Sequence, residues 1–243
     1  ACVKLRAAEL PLAWASALRR PARPRCTAKV KELESLMARL GRDVPEFRRP
    51  QALAYPLQGM LVLIAMATFS GVSRGYEDLA DYAATLSQAQ LRALRFRQDP
   101  HTRRVRCPER TTFARVLAGV DAPLLQRVLL LWQEQVLGPV QDSLVIIDGK
   151  EIRHADVESV SAVSGSGRWL GSTLVPADSN EIPVGRQQLA QLDLVDKIVL
   201  ADAAHTQVAQ AKQILYDQGG EYLLTVKKNQ KDLFATLETL WAD

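Results

Sequence analysis

Two short stretches constrain this chain more than any others. Leu144-Val145-Ile146-Ile147 runs straight into Asp148-Gly149-Lys150, and Lys197-Ile198-Val199-Leu200-Ala201 runs into Asp202-Ala203. A continuous apolar run of this length suits a strand buried on both faces. Each aspartate would then stand at its strand's carboxyl end, where open α/β sheets place their ligands. If the two strands are neighbours, Asp148 and Asp202 lie side by side. Close carboxylates repel, and a hard divalent cation is the usual means of keeping both ionised. Taken singly, either aspartate reads as well as the cap of a turn or helix. The repetition of the pattern is what points to a shared site.

Charge divides the chain into two halves of opposite sign. Residues 1–140 hold 22 Lys/Arg against 12 Asp/Glu, whereas residues 141–243 hold 9 against 15. A basic front half suits a polyanionic partner such as nucleic acid, and an acidic back half suits a metal-dependent site. With 243 residues, the chain can form one large domain or two ordinary ones. Cys2, Cys26 and Cys107 have no metal-ligand spacing and read as reduced thiols of a cytoplasmic protein. The apolar run from Met60 to Phe69 is too short to span a bilayer, so no membrane association is expected. Leu10–Leu18 is only weakly apolar and is followed by arginines, which argues against a secretory signal. The first residue is Ala1, which reads as a fragment or a processed chain.

Residues 1–28 carry Arg19-Arg20-Pro21-Ala22-Arg23-Pro24-Arg25 and read as a flexible basic arm. Residues 29–140 then show helical periodicity throughout. Helices are expected over Lys29–Leu40, Leu57–Phe69, Tyr76–Ala84 and Leu86–Phe96, the last capped by Ser87. Another is expected to start at Thr111 or Thr112, and one more runs from Asp121 to Val136 before Gly138-Pro139. Between them, residues 97–110 form a basic loop whose Arg103, Arg104 and Arg106 are candidates for DNA phosphates; a solvated loop is the alternative. After Pro139 strands dominate: Ser143–Lys150, Ser159–Ser164, Leu170–Val175, Lys197–Ala203 and Glu221–Lys228. Helices at Gln187–Leu192, Thr206–Gln218 and Gln230–Trp241 complete the order β-β-β-α-β-α-β-α. The fold class read from this is α+β in two parts, an all-α domain followed by a mixed α/β domain.

On ordered motifs the chain resembles the ISAs1-family insertion-sequence transposases, within the DDE transposases of RNase H-like fold. In the front half these motifs are Arg48-Arg49, Tyr55-Pro56-Leu57, Ser70-Gly71, Tyr76-Glu77-Asp78-Leu79-Ala80 and Thr112-Phe113. In the back half they are Ile147-Asp148-Gly149-Lys150, Val160-Ser161-Ala162, Ser179-Asn180-Glu181-Ile182-Pro183, Asp202-Ala203-Ala204-His205-Thr206-Gln207 and Tyr222 through Gln230. The resemblance covers roughly residues 30–243. It implies a helical transposase-associated domain at 29–140 and an RNase H-like catalytic domain at 141–243.

The resemblance further implies that Asp148 and Asp202 are catalytic acids binding Mg²⁺, with Mn²⁺ as the substitute, for in-line phosphoryl transfer on DNA. The implied partners are double-stranded DNA at transposon ends and a second copy in a homodimer, with no small-molecule cofactor. The implied location is the bacterial cytoplasm, at the nucleoid when bound to DNA. The family's third acid is a Glu on a helix beyond Lys227–Gln230. Glu238 lies on such a helix without the family context, so the expectation is a domain incomplete at its C-terminus and an incomplete active site. Asp178 and Glu158 stand where the family carries Lys and His, which weakens contact with phosphates.

Other candidates keep two readings each. Lys150 and Arg153 flank the first acid and either steer the DNA backbone or are ordinary surface charges. Lys227, Lys228 and Asn229 precede a helix and either meet a phosphate or form a solvated turn. His205 reads as a satisfied helix-start histidine in preference to a metal ligand, and Glu181 as either a support of the metal site or part of a turn. The function expected is DNA strand cleavage and transfer during transposition. The alternatives are a catalytically incomplete remnant that only binds DNA or dimerises, and a helical interaction module fused to a nuclease.

Overall fold

The computed structural model describes residues 29–49, 53–72, 75–152, 157–228 and 230–240. The basic arm at 1–28, Arg153 and Asn229 lie outside the described residues, as do Cys2 and Cys26; Cys107 is a free thiol. Contacts divide the chain into two compact units between Pro139 and Val140.

The first unit is built on α2, Leu57–Phe69, whose Leu57, Met60, Leu61, Val62, Leu63 and Ala67 are all buried. A helix apolar nearly all round belongs at the centre of a bundle. Around it are α1 (Val30–Asp43), α3 (Tyr76–Thr85), α4 (Gln88–Ala93), α5 (Arg110–Gly119) and α6 (Ala122–Leu137). Leu36, Leu40, Leu91, Phe113 and Val128 close the core from these helices. The orphan N–H of Leu57 at the start of α2 is satisfied from a distance: Glu46 accepts it at 3.0 Å and also holds Arg48 at 2.8 Å. Arg48 in turn donates to the Tyr55 carbonyl, so the link before α2 is a hydrogen-bonded cluster. Trp132 joins α6 to α1 by donating to Glu32 O and Ser35 Oγ.

Two helix boundaries in this unit differ from the periodicity. The stretch expected as Leu86–Phe96 is helical only over Gln88–Ala93, although Ser87 does cap it. Arg95 takes φ +62°, which ends the helix, and the Leu94 carbonyl turns against α2 at Gly59. An ideal Cβ at Gly59 would lie 2.1 Å from that oxygen, so only glycine permits the approach. α5 starts at Arg110 with Glu109 at the cap position, placing Thr111 and Thr112 inside the first turn.

The second unit is one five-stranded sheet in the order β3-β2-β1-β4-β5. Its strands are β1 (Leu144–Ile152), β2 (Val157–Ser164), β3 (Trp169–Leu174), β4 (Ile198–Ala201) and β5 (Glu221–Leu224). β1, β2 and β3 pair antiparallel, while β1, β4 and β5 run parallel. One face carries the core: Val145, Ile147, Val160, Ala162, Val199 and Ala201 pack with Val184 and Leu189 of α7 (Glu181–Ala190). Ile214 joins them from a π-helical turn, Gln213–Asp217, that continues α8 (Val208–Lys212). α9 spans Lys231–Leu240. Here α7 starts six residues before the helix expected at Gln187, because Asn180 caps it and Pro183 sits in the first turn. Proline is tolerated there, since a first-turn N–H has no intrahelical partner. Among the described residues no helix is long and apolar enough to cross a membrane.

Candidate active site

β1 does not end at Asp148. The strand continues to Ile152 because β2 pairs with it all the way, Asp148 opposite Ser161 and Ile152 opposite Val157. On its other side the parallel pairing with β4 stops at Ile146 and Leu200. Asp148 therefore stands in mid-strand, at the lip where β4 falls away. The expectation that it closes its strand is corrected to that extent: the hydrogen-bonded hairpin carries β1 past the acid.

The parallel register places Leu144, Val145 and Ile146 level with Ile198, Val199 and Leu200. Carried two places further, it sets Asp148 level with Asp202, the residue immediately after β4. Adjacent strands lie about 4.8 Å apart, and by alternation both acids fall on the sheet face of Ile146 and Leu200. Both are exposed. The Asp148 carboxylate has no hydrogen bond among the described residues, while one oxygen of Asp202 accepts the N–H of Ala204 at 2.9 Å. Two exposed carboxylates with free lone pairs are what a Mg²⁺ site asks of a protein, since that ion keeps waters and takes substrate phosphate for the rest of its shell. Among the described residues no group of three or more His, Cys, Asp or Glu could hold a metal ion.

The loop behind Asp202 is fastened at several points. Thr206 donates to the carbonyls of Asp202 and Thr225, at 3.2 and 2.7 Å. Gln230 Nε2 donates to the Thr206 carbonyl, and Thr225 N–H to the Ala201 carbonyl at 3.2 Å. This brings the end of β5, with exposed Lys227 and Lys228 three and four residues beyond, beside the Asp202 loop. Lys150 is exposed and shares the Asp148 face by alternation. Asp148, Asp202, Lys150, Lys227 and Lys228 thus gather at one end of the sheet. Glu238 is exposed on α9.

His205 and Glu181 belong to the opposite face. The His205 ring is buried against the α7 backbone: an ideal Cβ at Gly185 would meet its Cε1 at 2.7 Å and Nδ1 at 2.8 Å. Neither ring nitrogen has a hydrogen-bond partner among the described residues, so the histidine expected to be satisfied is packed but unpartnered there. Gln210 is likewise buried near the same glycine, with both amide atoms unpartnered among the described residues. The Glu181 carboxylate lies over Gly149, where a Cβ would be 2.0 Å from Oε2. Gly149 faces away from Asp148, which puts Glu181 behind the sheet and not beside the acids. The sequence signal for both contacts is a glycine, one in a strand and one within a helix.

Arg103, Arg104 and Arg106 are exposed in the first unit. Their loop is more regular than the prolines suggest, with Gln98 bridged antiparallel to Val105.

Comparison with known proteins agrees with this division of the chain. Residues 41–133 match the family described as DDE_Tnp_1-associated, and residues 139–234 match the Transposase DDE domain. The H repeat-associated protein YhhI of Escherichia coli (strain K12) is 28% identical over 216 residues, covering 85% of this chain and 54% of that protein. YbfD of the same organism, also H repeat-associated, is 28% identical over 216 residues, covering 85% of this chain and 81% of its own length. The chain thus spans about half the length of some of these relatives. A solved piggyBac transposase synaptic complex with hairpin DNA aligns with TM-score 0.41 at 11% identity, over 94% of this chain and 54% of that one. Matched in order by the associated domain and then by the DDE domain, the chain belongs to the DDE transposase family.

Proposed function

We propose that the chain acts in transposition of an ISAs1-type insertion sequence, cutting DNA at the element's ends and joining strands through metal-dependent phosphoryl transfer. In this reading residues 141–243 are an RNase H-like catalytic domain, and residues 29–140 a helical DNA-binding domain. The observation that supports it is the β1–β4 register, which pairs Ile146 with Leu200 and, carried two places further, brings Asp148 level with Asp202 just past β4. These two carboxylates would hold Mg²⁺ or Mn²⁺. When bound, such ions neutralise charge on a phosphoryl group and lower the pKa of a water or hydroxyl nucleophile.

The chain's own residues do the rest. The Asp148 carboxylate, with no hydrogen bond among the described residues, offers both oxygens; Asp202 is held by its loop with one oxygen engaged. Lys150, Lys227 and Lys228 form a cationic rim that draws a DNA backbone over the acids. Asn229 and Arg153 are proposed for the same rim on the sequence pattern alone, and Arg103, Arg104 and Arg106 for a separate contact in the helical unit. The test is incubation of the full chain with a duplex carrying the element's end and Mg²⁺ or Mn²⁺. Metal-dependent nicking or strand transfer is expected, and Asp148→Ala should abolish it.

A second reading, a role in DNA binding or dimerisation without turnover, is favoured by the two-acid site: Glu181 is behind the sheet, and no third acid joins the pair among the described residues. Duplex binding with no cleavage by the wild-type chain would decide for that reading and against catalysis.

A further inference from the structure

The segment from Arg92 to Arg106 contains six arginines and a single acid, Asp99. Past Ala93, where α4 ends, it is neither a helix nor a loose loop. The Gln98–Val105 bridge makes its centre a two-stranded ribbon, with Asp99 N–H donating to the Arg104 carbonyl at 2.9 Å and Arg103 N–H to the Asp99 carbonyl at 2.9 Å. At the tip, Asp99 Oδ1 accepts the N–H groups of His101 and Thr102, and Arg103 takes φ +57° to close the turn.

The ribbon is fixed to the helical unit at both strands. On one side Phe96 is buried edge-on against Tyr55, 5.1 Å between centroids, and Arg97 N–H donates to the Ala54 carbonyl at 2.8 Å. On the other, Val105 is buried and its peptide is gripped by one side chain: Gln88 Oε1 accepts Val105 N–H at 2.8 Å, and Gln88 Nε2 donates to Val105 O at 3.1 Å. The Gln88 amide thereby acts as a missing third strand.

Alternation then settles which way the charges face. With Val105 inward, positions 97, 99, 104 and 106 fall on the outer side of the ribbon. Arg97, Arg104 and Arg106 therefore share that side, with Arg103 at the tip. Arg106 reaches Asp99 at 3.5 Å while 84% exposed; the guanidinium groups of Arg97, Arg103 and Arg104 have no partner among the described residues. Four guanidinium groups thus lie on this hydrogen-bonded ribbon, three of them without a partner among the described residues.

We propose that residues 97–106 form a preformed arginine prong that grips the phosphate backbone of duplex DNA, and that Gln88 is the positioning residue that keeps it rigid. The proposal rests on the reading of the chain as a DNA-acting protein but not on its being catalytic. A rigid grip binds more tightly than a flexible one bearing the same charges, because less conformational entropy is lost on contact. The number of phosphates neutralised sets the salt slope, at roughly 0.9 per phosphate. Charge and rigidity are thus separable in one measurement.

The experiment is duplex binding by the full chain across a salt series, without divalent metal. Replacing Arg97, Arg103 and Arg104 together by Ala should flatten the log–log slope by about two to three. Gln88→Ala keeps every charge, so its slope should stay near that of the wild type while affinity drops roughly threefold to tenfold. Amide hydrogen exchange at Val105 should quicken in Gln88→Ala. An unchanged slope in the triple variant overturns the prong. If the triple variant weakens binding but Gln88→Ala does not, while exchange at Val105 quickens, the positioning role is overturned and the charges stand. The slope is read without metal and reports on the prong, whereas cleavage by the wild type with Mg²⁺ or Mn²⁺ reports on catalysis, so failure of one proposal is distinguishable from failure of the other.

Discussion

A methyl group added at Gly59 and one added at Gly149 would collide with oxygen atoms at nearly the same distance, 2.1 and 2.0 Å. The outcomes should differ because the oxygens differ. At Gly59 the obstacle is the Leu94 backbone carbonyl, in a buried region with Phe96 also 3.0 Å away. Gly59→Ala should therefore cost at least the 1–3 kcal/mol usual for overpacking, read as a lower denaturation midpoint. At Gly149 the obstacle is the end of the Glu181 side chain, which can rotate aside, so Gly149→Ala should cost under about 1 kcal/mol. Equal midpoints for the two variants would show that α2 does not press on Leu94. Asp148 and Asp202 were legible as a pair because two apolar runs ended in the same residue. Gly149 and Gly185 were not, because what a glycine makes room for lies on another element.

Among the elements, the β2–β3 hairpin shows how a turn is tied to the sheet. Asp142, just before β1, accepts from Ser166 Oγ at 2.6 Å, and its carbonyl accepts from Lys197 at 2.8 Å ahead of β4. Partial burial raises the Asp142 pKa, but hydrogen bonds from Ser164 and Ser166 and the Lys197 charge outweigh it and hold the carboxyl below the usual range. A carboxyl depressed in the folded state stabilises the fold above its ordinary pKa, and that share is lost as pH falls through the lower folded value. Asp142→Asn should thus lower stability at pH 7 by about 1 kcal/mol, the usual net worth of such a bond. The deficit should shrink on acidification below about pH 4. A deficit that is the same at pH 7 and pH 3 would mean the charge plays no part.

Strands with apolar runs, and helices with clear periodicity such as Leu57–Phe69, could be read from the chain alone. Their ends were harder. α4 stops early because Leu94 packs on Gly59, and β1 runs past Asp148 because β2 stays paired with it. Both are tertiary effects that no local pattern encodes.

For the molecule as a whole, the charge division of the sequence coincides with the structural one: the basic part contains the helical unit and the acidic part forms the sheet unit. On the proposed function, the arginine prong and the metal-binding acids would lie in different units, so the two can be tested independently. Asp148 and Asp202 are proposed to share a divalent cation. The most direct test is titration of the full chain with Mn²⁺, followed by electron paramagnetic resonance of the free ion, for the wild type and for Asp148→Ala, Asp202→Ala and Glu181→Ala. Binding at one common site is expected, weakened at least tenfold in either aspartate variant, about 1.4 kcal/mol or more, and unchanged in Glu181→Ala. Wild-type affinity retained in both aspartate variants, or lost in Glu181→Ala alone, would contradict it.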